Sequence, residues 1–266
     1  MQRLGNRRST GRETDSLRYV EPAQYLEVLR DSSSSVLASA KRDLGAPVPS
    51  CPGWSVADLT AHMCRVWDWA SSVVRTGARA PVEDLPKDIG GSELVALAEK
   101  RAGQVLESLE QCDPDSDCWT FGEPRSRLFW FRRQALEVAV HAWDAQQAFS
   151  NADPLGVALA NDGIDEFASV FLPRQVGQHP EPWIGQSLHL HSTDGDSQDG
   201  VDGEWMLRLG PEGHVSVERG HGKGDAAVRG SSSSLYFWCL NRVQAAELEI
   251  FGDRSVVDLW TSEISF

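Results

Sequence analysis

The stretch Trp130-Phe-Arg-Arg-Gln-Ala-Leu-Glu-Val-Ala-Val-His-Ala-Trp-Asp144 decides the fold. It reads as the middle of a helix running from about Ser126 to Phe149, and it sets Glu137 four residues before His141. Residues four apart on a helix share a face, one turn from each other. Glu137 lies within the apolar run Ala135 to Val140, where burying an idle carboxylate is costly. A bound cation would relieve that cost. Upstream, Cys51-Pro-Gly-Trp-Ser-Val-Ala-Asp-Leu-Thr-Ala-His62 supplies a second histidine on another apolar helix. Two histidines and a carboxylate can hold a divalent metal with coordination positions left open, which separates a catalytic metal from a structural one. The Glu-x-x-x-His spacing alone arises by chance in helices; the upstream segment gives it weight.

Working outward, Glu21 to Leu44 predicts a first helix, with Tyr25, Leu29, Val36 and Leu37 among its apolar positions. Pro47, Pro49 and Pro52-Gly53 make a stiff connection. Ser55 then reads as an N-cap, with Asp58 completing a capping-box pattern. The second helix runs to about Thr76 and places His62, Val66, Trp69 and Val73 along one face. A third spans Ser92 to about Leu109. Four helices with such connections make a bundle, and bundles hold metals between facing helices.

Beyond the bundle, a fifth helix is expected from Leu155 to Leu172, followed by a Pro/Gly-rich linker from Pro173 to Gln186. From Ser187 the pattern alternates: Leu188 and Leu190, then Trp205, Leu207 and Leu209, then Val215 and Val217, then Ala227 with Arg229. Ser231 to Leu240 and Asp253 to Trp260 read as helices. The fold class is therefore α+β: a four-helix bundle over residues 20–172 and a small α+β domain over 187–266, with a disordered tail at 1–19.

The 266 residues, 41% of them hydrophobic, suffice for cores of this size. The net charge of −14 argues against a nucleic-acid footprint or an anionic membrane partner, both of which need basic stripes. No apolar run approaches the roughly 20 residues of a spanning helix. The start, Met1 to Arg12, lacks the apolar core of a secretory signal. Five cysteines form no paired framework, which suits a reducing cytoplasm. Cys112 and Cys118 read as two unrelated thiols in a loop, and Cys51 as a packing residue.

The chain resembles the mycothiol-dependent maleylpyruvate isomerase family, within the wider DinB-like group of metal-binding four-helix bundles. The resemblance rests on Val48-Pro-Ser-Cys-Pro-Gly-Trp-Ser-Val-Ala-Asp-Leu-Thr-Ala-His62 and on Phe129-Trp-Phe-Arg-Arg133 running into Glu137-Val-Ala-Val-His-Ala-Trp-Asp144. Weaker matches are Leu188-His-Leu-His-Ser-Thr-Asp194, Gly203-Glu-Trp205, Arg242 and Phe251-Gly-Asp253. It covers nearly the whole chain from about Val20. Where the family often has His-Glu, this chain has Leu136-Glu137.

The resemblance implies a metal, usually zinc, on His62, Glu137 and His141, and mycothiol, the actinobacterial counterpart of glutathione, as thiol cosubstrate. The same ligand set also accepts nickel, cobalt, iron or manganese. A cation with two neutral nitrogens and one carboxylate keeps positive charge and favours the thiolate of an incoming thiol. The thiolate would attack a small electrophile. Expulsion of the thiol after bond rotation gives cis–trans isomerisation; departure of another group gives S-transfer. The breadth of the family and the absent histidine before Glu137 favour S-transfer or thiol exchange, with maleylpyruvate isomerisation as the alternative. A metal-dependent hydrolase or a non-catalytic binding module are further readings, and no H-E-x-x-H occurs to support a metallopeptidase.

Around the ligands, Asp144 either orients one of them or pairs with an arginine or helix end. Asp58 either caps or does the same for His62. Arg132 and Arg133 are candidates to bind a carboxylate of the thiol or substrate. Arg242 follows the apolar helix Leu235 to Leu240 at the family's position for an arginine that reaches back to the metal cleft and holds an anionic substrate; a structural ion pair is the other reading. His189 and His191 lie on one side of a strand with no third ligand evident, and read as strand-surface histidines. The expected protein is a cytoplasmic monomer or homodimer acting on a small molecule.

Overall fold

The helix that carries His62 begins where Ser55 and Asp58 cap it reciprocally: the Ser55 amide donates to the Asp58 carboxylate at 2.8 Å, and the Asp58 amide to Ser55 Oγ at 3.3 Å. Asp58 is thus a capping residue. In the computed structural model, which describes residues 20–86, 89–150, 152–179, 181–195, 203–211 and 214–264, this helix is α2 (Val56–Thr76), ended by Gly77 at φ 70°. The expected tail at 1–19 lies outside the described residues. With α1 (Pro22–Arg42), α3 (Gly91–Glu110) and α4 (Leu128–Gln147) it forms the four-helix bundle. The buried face of α2 runs through Leu59, Met63, Trp67, Ala70 and Val74, so His62, Val66 and Trp69 sit at its edge, half-buried.

α4 is buried nearly all round because it serves two cores. Ala135, Val138, Ala142 and Ala145 belong to the bundle interior with Leu29, Met63, Trp67 and Val105. Leu136 and Val140, on another side, pack into a second core with Ile164, Phe167, Leu190, Trp205, Tyr236 and Trp260. The one polar stripe of α4, Arg133, Glu137, His141 and Asp144 at helical spacing, is turned into the protein and not to solvent.

The second core begins with α5 (Val157–Glu166), a π-helical turn (Phe167–Phe171) and α6 (Leu172–Gln178). Helix therefore continues past Pro173, where the sequence predicts a linker. The π turn explains it: the Leu172 amide reaches five residues back to the Phe167 carbonyl. Proline then falls in the first turn of α6, where its missing N–H costs little.

Five strands follow: β1 (Ser187–Ser192), β2 (Glu204–Leu209), β3 (Val215–Arg219), β4 (Ala226–Gly230) and β5 (Glu249–Gly252). Their spatial order is β3-β2-β1-β4-β5, with β1 and β4 parallel and the other pairs antiparallel. α7 (Ser232–Cys239) and α8 (Arg254–Glu263) lie between and after β4 and β5. Leu188, Leu190, Trp205, Leu207, Ala226 and Val228 face the core with the helices. On β4 the inward residues are Ala226 and Val228, one step from the expected Ala227 and Arg229; β5 had no sequence signal. The α+β class stands. Among the described residues, no helix is long and apolar enough to cross a membrane.

Candidate metal centre

Three donor groups converge between α2 and α4. His62 Nε2 lies 3.4 Å from Glu137 Oε1, and His141 Nε2 lies 3.5 Å from the same oxygen. The two imidazoles meet edge to face with centroids 4.8 Å apart. The three donor atoms all fall within 4.8 Å of one another. Trp54, from the segment before α2, covers both rings, with centroids 5.4 Å from His62 and 6.5 Å from His141.

The other atom of each buried donor is already tied. His141 Nδ1 donates to Asp144 Oδ2 at 3.0 Å, which leaves Nε2 for a cation, as carboxylate-backed histidine ligands do. Glu137 Oε2 accepts from Arg133 at 2.5 Å, and Arg133 also pairs with Glu166. Asp144 is wholly buried and is held in turn by Arg242, whose Nε and guanidinium NH2 reach its two oxygens at 3.3 Å each. Arg242 comes from the loop after α7 and donates to the Leu240 carbonyl at 2.9 Å. One arginine of the second core thus fixes a carboxylate of the bundle.

Charge states follow from these contacts. Burial pushes the Glu137 carboxyl up, but Arg133 and the two imidazoles overcome it and hold it well below the usual range. Burial opposes protonation of His141, yet Asp144 and Glu137 raise it to about 9. Burial raises Asp144 too; His141 and Arg242 outweigh it and keep the group low. Glu166 goes the other way: burial raises it, and Arg133 and Arg132 offset that only in part. Burial, helped by the Asp144 charge, pushes the Cys51 thiol up to about 11, so it is a neutral packing group and not a nucleophile.

The donors open onto a cavity of about 380 Å³ between the bundle and the second core. Arg133 and Arg242 line it; Arg132 does not. Arg132, on α4, is buried against α5, donating to the Asp162 carbonyl at 2.6 Å and pairing with its carboxylate at 3.0 Å, where Tyr25 also donates. Sequence reasoning did not single out Glu166, Phe167, Phe171 or Tyr236 on the cavity wall. Glu166 stands beside Asp165 in Ile164-Asp-Glu-Phe-Ala-Ser-Val-Phe171, and nothing in that pattern marks one carboxylate over the other.

A divalent cation fits this donor set: two imidazole nitrogens and one ionised oxygen converge, His141 backed by Asp144 and Glu137 by Arg133, and one side faces a cavity.

Residues 26–146 match the family described as the mycothiol maleylpyruvate isomerase N-terminal domain, and residues 158–259 match the MDMPI C-terminal domain. The fold is similar to a crystal structure of mycothiol-dependent maleylpyruvate isomerase in a histidine-to-alanine variant, with TM-score 0.59 and 12% identity over 87% of this chain and 93% of that one. A second crystal structure of mycothiol-dependent maleylpyruvate isomerase aligns with TM-score 0.56 and 13% identity, over 82% and 88%. No curated protein matches the sequence.

Proposed function

Because the chain belongs to the mycothiol-dependent maleylpyruvate isomerase family, we propose that it is a mycothiol-dependent cis–trans isomerase of a small unsaturated acid of the maleylpyruvate class. The observation that carries this reading is the convergence of His62, Glu137 and His141 on a cavity that also presents two arginines. The sequence alone favours S-transfer to an electrophile. The family and the fold similarity support isomerisation better, and both reactions begin with the same thiol addition.

His62, Glu137 and His141 would hold the cation. When bound, the cation lowers the pKa of a thiol so that a thiolate exists near neutral pH. Asp144 holds His141 in the tautomer that offers Nε2, and Arg133 keeps Glu137 ionised and oriented. Trp54 shields the imidazoles on one side. Arg242, anchored by Asp144 and the Leu240 carbonyl, sets a guanidinium on the wall for a substrate carboxylate or its developing enolate oxygen.

The thiolate sulfur bonds to an alkene carbon conjugated to the carbonyl, and the π pair moves to the carbonyl oxygen as enolate. Rotation follows about what is now a single bond. Collapse of the enolate expels the thiolate and restores the double bond as trans. No atom is gained or lost, so the thiol is a catalyst.

The test is proton NMR of maleylpyruvate incubated with zinc-loaded protein and a tenth of an equivalent of mycothiol. Full conversion to the trans isomer with the thiol recovered is the expected result. Conversion that stops once the thiol is consumed in an adduct would return the reading to S-transfer. A full equivalent of thiol with no reaction would reject both.

A further inference from the structure

A second group of metal-ligating side chains stands on the sheet, on the face opposite Leu188 and Leu190. His189 and His191 alternate along β1 and share that face. Glu204, the first residue of β2, is the register partner of His191, so its carboxylate lies between the two imidazoles. Its Oε1 is 3.2 Å from His191 Nδ1, and its Oε2 is 3.2 Å from His189 Nε2. The fourth member is His221, whose Nδ1 lies 2.9 Å from Glu204 Oε2. All four donor atoms lie within 4.8 Å of one another.

Topology brings His221 there. β3 and β4 flank the β2–β1 pair, so the chain joining them must cross three inter-strand gaps, about 14 Å. It does so in the six residues 220–225, over the outer face. Gly220 turns the chain out of β3 at φ 117°, a conformation side chains disfavour. Gly224 lies so close to the sheet that a Cβ there would meet the Ala226 carbonyl at 2.7 Å and the His189 amide at 3.0 Å. The crossover is then pinned where Ser187 donates to Asp225 through its amide at 2.8 Å and its hydroxyl at 2.6 Å. Between these anchors His221 is set over the strand pair.

We propose that His189, His191, Glu204 and His221 form a second metal site, distinct from the bundle centre, for a divalent cation of the zinc class. Three imidazoles and one carboxylate are a full tetrahedral set. Tetrahedral zinc bonds of about 2.0–2.1 Å put neighbouring donors roughly 3.3 Å apart, close to the separations of each histidine from Glu204. With four protein donors no position is left for substrate, so the role is structural: the ion clamps the crossover onto β1 and β2. His189 is buried, His191 and Glu204 are partly so, and His221 is exposed at the rim, a route for the ion to enter.

The experiment strips full-length protein with a chelator, adds zinc chloride, removes unbound ion by gel filtration and counts zinc per chain. Two ions are expected in the wild type, one in Glu137→Ala, and one in the double variant His191→Ala/His221→Ala. Because His221 is exposed, His221→Ala keeps the test valid if the double variant misfolds. Chelator competition should then show zinc at one site held at least about tenfold more weakly. Loss of one ion from the double variant supports the sheet site even if Glu137→Ala loses none, which would count against the bundle centre alone. Equal zinc content in the wild type and the folded double variant, or unchanged affinities in His221→Ala, would overturn the proposal.

Discussion

The chain builds histidine–carboxylate clusters in two regions, and their surroundings differ more than their donors do. In the bundle, His62, Glu137 and His141 are ringed by Arg133, Asp144, Arg242 and Glu166 and face a cavity. On the sheet, His189, His191 and His221 gather around Glu204 with the crossover laid over them. The first arrangement leaves coordination open and surrounds it with fixed charge, as reaction requires; the second closes the coordination with a fourth protein donor. Donor type alone does not distinguish a reactive centre from a structural one.

The sharpest way to break the comparison is His141→Ala. Turnover should fall by at least about 100-fold, since losing even a partner behind a ligand costs 10–100-fold, while zinc on the sheet is retained. Loss of both ions together would mean that the two clusters are not independent. Metal analysis beside an activity assay reads both outcomes.

Arg242→Met leaves Asp144 buried without its guanidinium. Removing one member of a buried pair costs about 3–5 kcal/mol, and urea unfolding should show a loss of that order. A loss under about 1 kcal/mol would mean that the arginine does not hold the two cores together. Asp144→Asn is milder: the backing of His141 is weakened, and zinc affinity at the bundle should drop about 10–100-fold, with the sheet site unchanged in the same competition titration.

The smallest effect is a pH dependence in the sheet region. Asp194, just after β1, accepts from the Ser232 amide at 2.7 Å and from the Ser192 and Ser232 hydroxyls at 2.8 Å each. Burial, the largest single influence, raises its carboxyl, but these hydrogen bonds together outweigh it and lower the folded pKa. A carboxyl lowered on folding stabilises fully above its unfolded pKa, about 3.9, and loses that contribution as pH falls through the folded value. Asp194→Asn should therefore narrow its stability deficit below about pH 4. A deficit that is the same at pH 7 and pH 3 would contradict this assignment.

The bundle was legible because its information is local. Glu137 and His141 are one turn apart, and Ser55 and Asp58 cap their own helix. Donors on the sheet are legible only in part. His189 and His191 announce themselves by alternation, but Glu204 depends on strand register and His221 on a crossover over two strands. No spacing rule joins residues 32 positions apart through such a path. Arginine roles were hidden for a similar reason: Arg132 and Arg133 are adjacent, yet helix geometry turns one to Asp162 and the other to Glu137. The turn at Phe167–Phe171 has no composition signature, so the helix beyond Pro173 could not be foreseen.

The most direct test of the central claim, that the bundle cluster is where the cation meets the thiol, is the absorption spectrum of cobalt-substituted protein on adding mycothiol. A sulfur-to-cobalt charge-transfer band should appear in the wild type and in His191→Ala/His221→Ala, and be absent from His141→Ala. A band lost from the sheet variant but kept in His141→Ala, or none in wild-type protein with cobalt at both sites, would contradict the account.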